Sequence, residues 1–234
     1  MNLHLIVIPL LPLAGAAING LLGKRFPRWL VATVALTFTA ASFAWAAVAA
    51  ISWVTAVGKD LPGPVPYVEH FATWLQVSDF HAEYGFYLDQ LSMVMMLIVT
   101  GVGFLIHIYS VGYMWEEGGF YRFFSYLNLF MFFMLTLVMA ANIVVMFVGW
   151  EGVGLCSYLL IGFWFLKLSA TNAGKKAFIV TRLGDFGFTV GILLLFWTFH
   201  SVDFDTIFTK VSENSVSVAT LTSICFLLFR EGGF

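Results

Sequence analysis

The feature that most constrains this chain is a series of long apolar segments separated by short polar ones. These segments, the last of them short, lie near residues 3–22, 29–55, 88–113, 123–141, 143–166, 174–199 and 216–230. A helix needs about 20 apolar residues to cross the hydrocarbon core of a bilayer, where backbone groups find partners only within the protein. The sequence therefore predicts an all-α polytopic bundle with six full transmembrane spans and a partial seventh.

The composition excludes a soluble domain. Hydrophobic residues make up 61% of the chain and charged residues only 10%, whereas a soluble domain carries about a quarter of charged residues. There is no basic run, so nucleic-acid binding is not expected.

The first apolar segment has its positive charges after it, at Lys24, Arg25 and Arg28. A secretory signal carries them before the apolar stretch, so we interpret this segment as a retained span.

The organisation predicted along the chain has three parts. Residues 1–57 hold the first two spans, and residues 88–234 hold the remaining helices, the last one incomplete. Residues 58–87 form one long external loop that opens with a proline-rich turn, Leu61-Pro-Gly-Pro-Val-Pro66. Aromatic and β-branched residues in its second half are enough for a short hairpin.

The distribution of Lys and Arg predicts the orientation. With the N-terminus outside, the outer loops hold only Lys59 and Lys210. The cytoplasmic loops then hold Lys24, Arg25, Arg28, Arg122, Lys167, Lys175 and Lys176. This asymmetry favours an external N-terminus.

Glu151 is the most informative of the ionisable residues inside the spans, each of which costs a few kcal/mol to keep in lipid. It lies about eight residues into its predicted helix, roughly 12 Å along the axis. Gly149 and Gly152 share one helix face and allow a neighbouring backbone to approach. This arrangement favours a proton-carrying carboxyl group. The alternative is a protonated carboxyl that only packs against a neighbouring helix.

Arg182 and Asp185 are three residues apart, so they share a helix face and are expected to pair. A purely structural ion pair and a charge relay are both open interpretations. Lys175 lies on the same stripe as Arg182, whereas Lys176 points elsewhere, and either lysine can snorkel to the interface. A close-packed face is predicted from Gly184, Gly187 and Gly191.

Three other residues have reactive side chains, but the sequence around them gives little indication of a function. His107 lies near one end of its span, where a structural histidine and a proton relay are both open. Cys156 and Cys225 sit in apolar stretches far from any histidine cluster, so we expect packing residues rather than a disulfide or metal site. No nucleotide loop or nucleophile–base pattern is present. The chemistry open to such a chain is the movement of protons or ions.

Several motifs resemble subunit L (chain 5) of the proton-pumping NADH–quinone oxidoreductases, respiratory complex I. The most specific is Phe147-Val-Gly-Trp-Glu-Gly-Val-Gly-Leu-Cys-Ser-Tyr-Leu-Leu-Ile-Gly-Phe-Trp164, preceded by Arg122-Phe-Phe-Ser-Tyr-Leu-Asn-Leu-Phe130. Three further segments agree: Phe86-Tyr-Leu-Asp-Gln-Leu-Ser92, Gly101-Val-Gly-Phe-Leu-Ile-His107 and Lys176-Ala-Phe-Ile-Val-Thr-Arg-Leu-Gly-Asp185. The resemblance implies the N-terminal part of an antiporter-like fold, related to the Mrp-type antiporter subunits.

The resemblance also implies a function and its residues. Glu151 matches the proton-carrying glutamate, Lys176, Arg182 and Asp185 match charged positions on the following helix, and His107 fits the pattern as a possible relay. No cofactor or metal is expected in this chain, while NADH, flavin, iron–sulfur clusters and quinone belong to partner subunits. The implied setting is a multi-pass protein of a cell inner membrane, beside other membrane-arm subunits of complex I.

Two alternatives to a proton-pumping subunit stay open. One is an Mrp-type cation/proton antiporter subunit. The other is a non-pumping, truncated fragment. The resemblance leads us to expect a Gly-Lys motif at the end of the seventh helix, but the sequence continues as Arg230-Glu-Gly-Gly-Phe234. We therefore expect a truncated or frameshifted form that lacks the lysine partner of Glu151.

Overall fold

The structure is a computed structural model that describes residues 3–60, 66–77, 80–213 and 216–229. Most of the proline-rich turn and all of Arg230–Phe234 lie outside these residues. The elements, in chain order, are α1 (Val7–Leu22), a 3₁₀ turn (Gly23–Arg25), α2 (Arg28–Asp60), β1 (Tyr67–Val77), β2 (Phe80–Leu88), α3 (Gln90–Tyr113), α4 (Phe120–Val138), α5 (Ile143–Ile161), α6 (Leu168–Phe199), α7 (Phe204–Ser212) and α8 (Val218–Phe229).

The predicted transmembrane bundle is confirmed. Six described helices, α1 to α6, are long and apolar enough to cross a membrane, and α8 is a shorter apolar helix. Several boundaries differ from those predicted. Helix α6 begins at Leu168, six residues before the predicted start, and α4 begins at Phe120. Helix α6 has 32 residues and is about 48 Å long, more than the roughly 30 Å hydrocarbon core, so polar residues are tolerated in its first turns.

The short helix α7 was not predicted. Phe204, Ile207, Phe208 and Val211 recur at the spacing of one helix face, and Ile207 is buried against Leu195, Phe199 and Ile224. This amphipathic pattern was present in the sequence. At nine residues the helix is too short to register as a span.

The chain divides into two compact units, and the first comprises Met1–Glu69 and Phe86–Met139. Within it α1 packs against α2 and α4, and α3 packs against α2 and α4. Side-chain hydroxyls make hydrogen bonds across these contacts: Ser42 Oγ donates to the Ile8 carbonyl at 2.7 Å, and Ser125 Oγ donates to the Ala16 carbonyl at 2.8 Å. A reciprocal capping box between Asp89 and Ser92 starts α3.

The second unit comprises His70–Gly85 and Ala140–Phe234. Helix α6 packs against α5 and α8 in this unit. A side chain at Gly191 would meet Leu228 Cδ2 at 2.8 Å, and one at Gly187 would meet the Leu227 carbonyl oxygen at 3.6 Å. The close-packed glycine face predicted on α6 is therefore the surface that receives α8.

Of the two free cysteines, Cys156 is buried as predicted. Cys225 is exposed on α8, so the prediction that it is a packing residue was wrong.

Strands β1 and β2 pair as a two-stranded sheet. The start of α5 is bonded to β2 through Asn142, whose Nδ2 donates to the Glu83 carbonyl at 2.6 Å. Its Oδ1 accepts from the Val145 amide at 2.9 Å and so caps α5. Asn142 also forms an isolated bridge with Asp203, just after α6. One asparagine thus connects the hairpin, α5 and the residue before α7.

Asp203 lies outside the spanning segments, and its environment raises the pKa of its carboxyl group above the ordinary value of 3.8. Burial is the main cause, and the neighbouring carboxylate of Glu83 adds to it. His70, which pairs with Glu83 at 2.7 Å, and a hydrogen bond from Asn142 act in the opposite direction. A carboxyl group whose pKa is raised by folding stabilises the fold below its unfolded pKa, and this contribution is lost as pH rises through the folded pKa.

We therefore expect the junction at Asn142 to loosen as the pH rises through the pKa of Asp203. The measurement is hydrogen exchange of the Ala141 and Ile143 amides, which donate to the Gly85 and Val202 carbonyls, in lipid vesicles across that pH range. Exchange is corrected for its intrinsic pH dependence. Asp203→Asn is expected to remove the loss of protection.

Asp205→Asn is the matched control, since Asp205 is exposed two residues further along. It is expected to keep the wild-type profile. Identical profiles for wild type and Asp203→Asn would show that Asp203 does not govern the junction.

Candidate functional site

Helix α5 carries Glu151, whose side chain is partly buried within the second unit. Gly149, Gly152 and Cys156 are buried on one face of this helix, whereas Phe147, Trp150 and Tyr158 contact Phe188, Asp185 and Phe178 on α6. Glu151 lies between the two glycines, and 24% of its side chain is exposed. The carboxyl group is therefore held at the boundary between α5 and α6 rather than directed wholly into lipid.

The predicted pair on α6 is present. Arg182 Nη1 lies 3.2 Å from Asp185 Oδ2, three residues along the helix. The Asp185 side chain is almost fully buried, at 9% exposure. A buried carboxylate on a membrane helix needs such a partner.

Arg182 also forms an ion pair with Glu151, through the same Nη1 atom and Glu151 Oε2. From the sequence, Arg182 is expected to pair only with Asp185, and a lysine is expected to be the partner of Glu151. In the described part of the chain, the partner of Glu151 is Arg182. The three residues, here called the carboxylate–arginine trio, join α5 to α6 through one shared guanidinium.

Two aromatic residues that were not among the predicted site residues hold the trio. Trp150 Nε1 donates to Asp185 Oδ1 at 3.2 Å, and its ring stacks near Phe188 with centroids 6.3 Å apart. The Arg182 guanidinium carbon lies 4.6 Å from the centre of the Phe178 ring, a favourable cation–π distance. The Trp-Glu dipeptide was visible in the sequence, but the contact with Asp185 depends on the packing of α5 on α6.

The charge balance of the trio determines its chemistry. Two ionised carboxylates and one guanidinium carry a net charge of −1. An excess charge inside a membrane protein is costly, and a single proton removes it.

The lysines on α6 lie outside these ion pairs. Lys175 and Lys176 are both exposed, and helix α6 starts seven residues before Lys175. Neither lysine takes part in the ion pairs of the trio. The structure thus does not favour one of them over the other as a partner for Glu151.

His107 belongs to the first unit, where it is buried. Its Nδ1 lies 2.7 Å from the Gly103 carbonyl oxygen, and its Nε2 lies 2.7 Å from Asn128 Oδ1 on α4. Beside these polar contacts, His107 lines an apolar cleft of about 200 Å³ between α3 and α4. Asn128 was missed as a candidate residue, although an amide within an apolar span is itself a signal.

Among the residues that the structure describes, no group of three or more His, Cys, Asp or Glu side chains is arranged to hold a metal ion.

Two family models match the chain. The first is NADH-ubiquinone oxidoreductase (complex I), chain 5 N-terminus, over residues 74–124. The second is the transmembrane model NADH:quinone oxidoreductase/Mrp antiporter, over residues 140–231. The second match contains the complete trio.

Curated relatives carry matching names. NADH-quinone oxidoreductase subunit L of Rickettsia bellii is 42% identical over 96% of this chain and 35% of its own length. Subunit L of Mycobacterium tuberculosis is 45% identical over 93% of this chain and 34% of its own. NADH-ubiquinone oxidoreductase chain 5 of Allomyces macrogynus is 45% identical over 72% of this chain. The chain spans about a third of the length of the first two relatives.

Two solved structures share the fold. A chain of the membrane-bound sulfane sulfur reductase, an archaeal respiratory membrane complex, superposes with a TM-score of 0.80 at 15% identity, covering 98% of this chain and 44% of that one. A chain of the Mrp complex from Dietzia sp. gives a TM-score of 0.75 at 24% identity, covering 97% of this chain and 23% of that one. The antiporter-like fold is thereby confirmed.

The shared guanidinium predicts energetic coupling between α5 and α6. In a double-mutant cycle with Glu151→Gln and Arg182→Gln, we expect a coupling energy of roughly 0.5–3 kcal/mol, the range for residues in direct contact. The measurement is unfolding of the detergent-solubilised chain by denaturant.

The matched control pairs Glu151→Gln with Lys175→Gln on the same helix. Their effects are expected to be additive, because Lys175 is exposed and outside the trio. Equal coupling in both cycles would contradict a specific Glu151–Arg182 interaction.

Proposed function

Because the chain belongs to the subunit L (chain 5) family of NADH–quinone oxidoreductases, we propose that it contributes to proton translocation coupled to quinone reduction. In this proposal it acts as a membrane-arm subunit of such an enzyme. The observation that carries the proposal is the sharing of Arg182 between Glu151 and Asp185.

Glu151 is the proton carrier in this proposal. Asp185 is bonded by the Trp150 indole as well as by Arg182, and these donors hold it as the fixed negative charge of the trio. A proton that binds to Glu151 brings the trio to neutrality and leaves the guanidinium with Asp185. A proton that leaves Glu151 restores the second ion pair.

Displacement of Arg182 couples proton binding to movement. At an effective dielectric constant of about 20, two unit charges about 4 Å apart attract by about 4 kcal/mol. Moving the guanidinium to about 6 Å weakens this attraction by roughly 1.4 kcal/mol, a tenfold change in the proton equilibrium. Partial exposure of both side chains reduces these magnitudes. A small movement of α6 against α5 is thus enough to load or unload Glu151.

The remaining site residues have supporting roles in the proposal. Lys176 supplies a positive charge on α6 that biases the trio, and His107 acts as a relay within the first unit. The energy comes from quinone reduction in partner subunits, which hold the NADH, flavin, iron–sulfur clusters and quinone. The chain then lies in a cell inner membrane, with its N-terminus outside and other membrane-arm subunits as neighbours.

A second candidate function is cation/proton antiport of the Mrp type. The family model that covers the trio includes the Mrp antiporters, and an Mrp complex has the same fold. Sodium-dependent proton movement in vesicles without NADH would favour this alternative.

We expect Glu151→Gln to abolish most of the proton translocation that depends on this subunit, because glutamine preserves the shape of the side chain but cannot ionise to release and rebind a proton. The variant is made in the full-length subunit within the assembled oxidoreductase. Proton uptake into inverted membrane vesicles is measured together with NADH oxidation.

Glu213→Gln is the control, since Glu213 is an exposed carboxylate at the end of α7. It is expected to translocate protons as the wild type does. Wild-type proton uptake per NADH in Glu151→Gln would exclude Glu151 as the carrier.

The proposed orientation predicts the labelling of single cysteines in intact cells. In a background with Cys156 and Cys225 replaced by alanine, Glu213→Cys is expected to react with a membrane-impermeant maleimide. Lys24→Cys, in the exposed turn after α1, is expected to react only after permeabilisation. The reverse pattern would show that the N-terminus is inside.

A further inference from the structure

The hydrogen bonds of His107 depend on which of its ring nitrogens carry a proton. Both ring nitrogens lie 2.7 Å from carbonyl-type oxygens, those of Gly103 and the Asn128 amide. A neutral imidazole has one N–H donor and one acceptor nitrogen, so it cannot donate to both oxygens. Two arrangements satisfy the contacts. Either His107 carries both ring protons, or the Asn128 amide is rotated and its NH₂ group donates to Nε2.

In either arrangement, one polar atom of Asn128 is directed away from His107 and towards α1. With Asn128 Oδ1 beside His107, the atom directed towards α1 is Nδ2, which lies 2.6 Å from the position that a Cβ atom would take on Gly15. A side chain at residue 15 would therefore collide with the amide. The absence of a side chain at Gly15 lets Asn128 reach the surface of α1.

Asn19 presents an unmatched group on the same part of α1. It lies four residues after Gly15, which is about one helical turn. Its Nδ2 donates to the Val31 carbonyl at 3.2 Å. In the described part of the chain, Asn19 Oδ1 and Asn128 Nδ2 are the buried side-chain polar atoms that have no hydrogen-bond partner. Both side chains are fully buried.

We propose that one water molecule binds between the side chains of Asn128 and Asn19 in the α1–α4 contact. It accepts a hydrogen bond from Asn128 Nδ2 and donates one to Asn19 Oδ1. If the amide is rotated, the same water donates to the oxygens of both asparagines. Water is the ligand that fits both cases, because it can change between donor and acceptor without moving.

The surroundings of this site are suited to a single water. Buried waters make about three hydrogen bonds to groups that otherwise lack partners. Ser125 lies three residues before Asn128 on the same face of α4, and its hydroxyl donates to the Ala16 carbonyl at 2.8 Å. When Asn128 Nδ2 is the donor to the water, the water keeps a second proton, and the Ser125 oxygen retains the capacity to accept it as a third bond.

This water extends the polar contacts of His107 across the whole first unit. The connected groups are His107 on α3, Asn128 on α4, the water, Asn19 on α1 and the Val31 carbonyl on α2. The orientation of the Asn128 amide follows the protonation of His107, and the water adapts to either orientation. The site stands independently of the proposed function, since it involves neither Glu151 nor Arg182.

The test is water-edited solid-state NMR of the isotope-labelled chain in lipid bilayers. Proton polarisation is transferred from water to side-chain amide nitrogens at short mixing times. Strong transfer to Asn128 Nδ2 is expected despite its complete burial. No transfer to Asn128 in the folded wild-type chain would overturn the proposal.

Variants separate the water site from general hydration. Asn19→Leu fills the site with an apolar group, so transfer to Asn128 is expected to be lost. Asn19→Ser keeps an acceptor and adds space, so transfer is expected to persist. Thr100→Val is the matched control, because Thr100 is a fully buried residue whose hydroxyl donates within α3 to the Met96 carbonyl.

The control should transfer as the wild type does. Persistence of the signal in a folded Asn19→Leu chain would show that Asn19 does not hold the water, and would overturn the proposal. Glu151→Gln should leave this signal unchanged, so a failure of the proton-carrier assignment and a failure of the water site give different results.

Discussion

The hydrocarbon core of a bilayer supplies no hydrogen-bond partners, so each polar group inside a span has to be satisfied within the protein. This constraint explains the polar contacts of both compact units. In the second unit, Arg182 is shared by Glu151 and Asp185. In the first, hydroxyls of Ser42 and Ser125 donate to carbonyls of α1, and His107 bonds to Asn128. Each of these groups would be costly to bury alone.

The trio differs from a purely structural ion pair in its charge balance. An arginine with one carboxylate is neutral and needs nothing more, whereas an arginine with two carboxylates has one charge left over. That remaining charge is the basis of the proposal that the trio exchanges a proton. The packing of α5 on α6 makes the arrangement possible, because Phe147 stacks on Phe188 and Tyr158 lies against Phe178 on either side of the trio.

The parts of the site that lie within one helix could be predicted from the sequence. The Arg182–Asp185 pair follows from helical spacing alone, and the glycine face of α6 follows in the same way. The contacts between helices could not be predicted. Trp150 donates to Asp185 across 35 residues of chain, and Asn128 bonds to His107 across 21. Such contacts depend on the rotation of each helix about its axis, which apolar composition does not specify.

The sequence by itself determined that the chain spans a membrane and which ionisable residues are inside it, because the length of apolar segments and the cost of burying charge depend on local composition. The tertiary structure decided which of those residues are partners. It paired Glu151 with Arg182 rather than a lysine, and it directed the buried amides of Asn19 and Asn128 into the same helix contact. The physical reason is that lipid is equally apolar on every side, so the packing of small residues and the matching of polar groups set how the helices face one another.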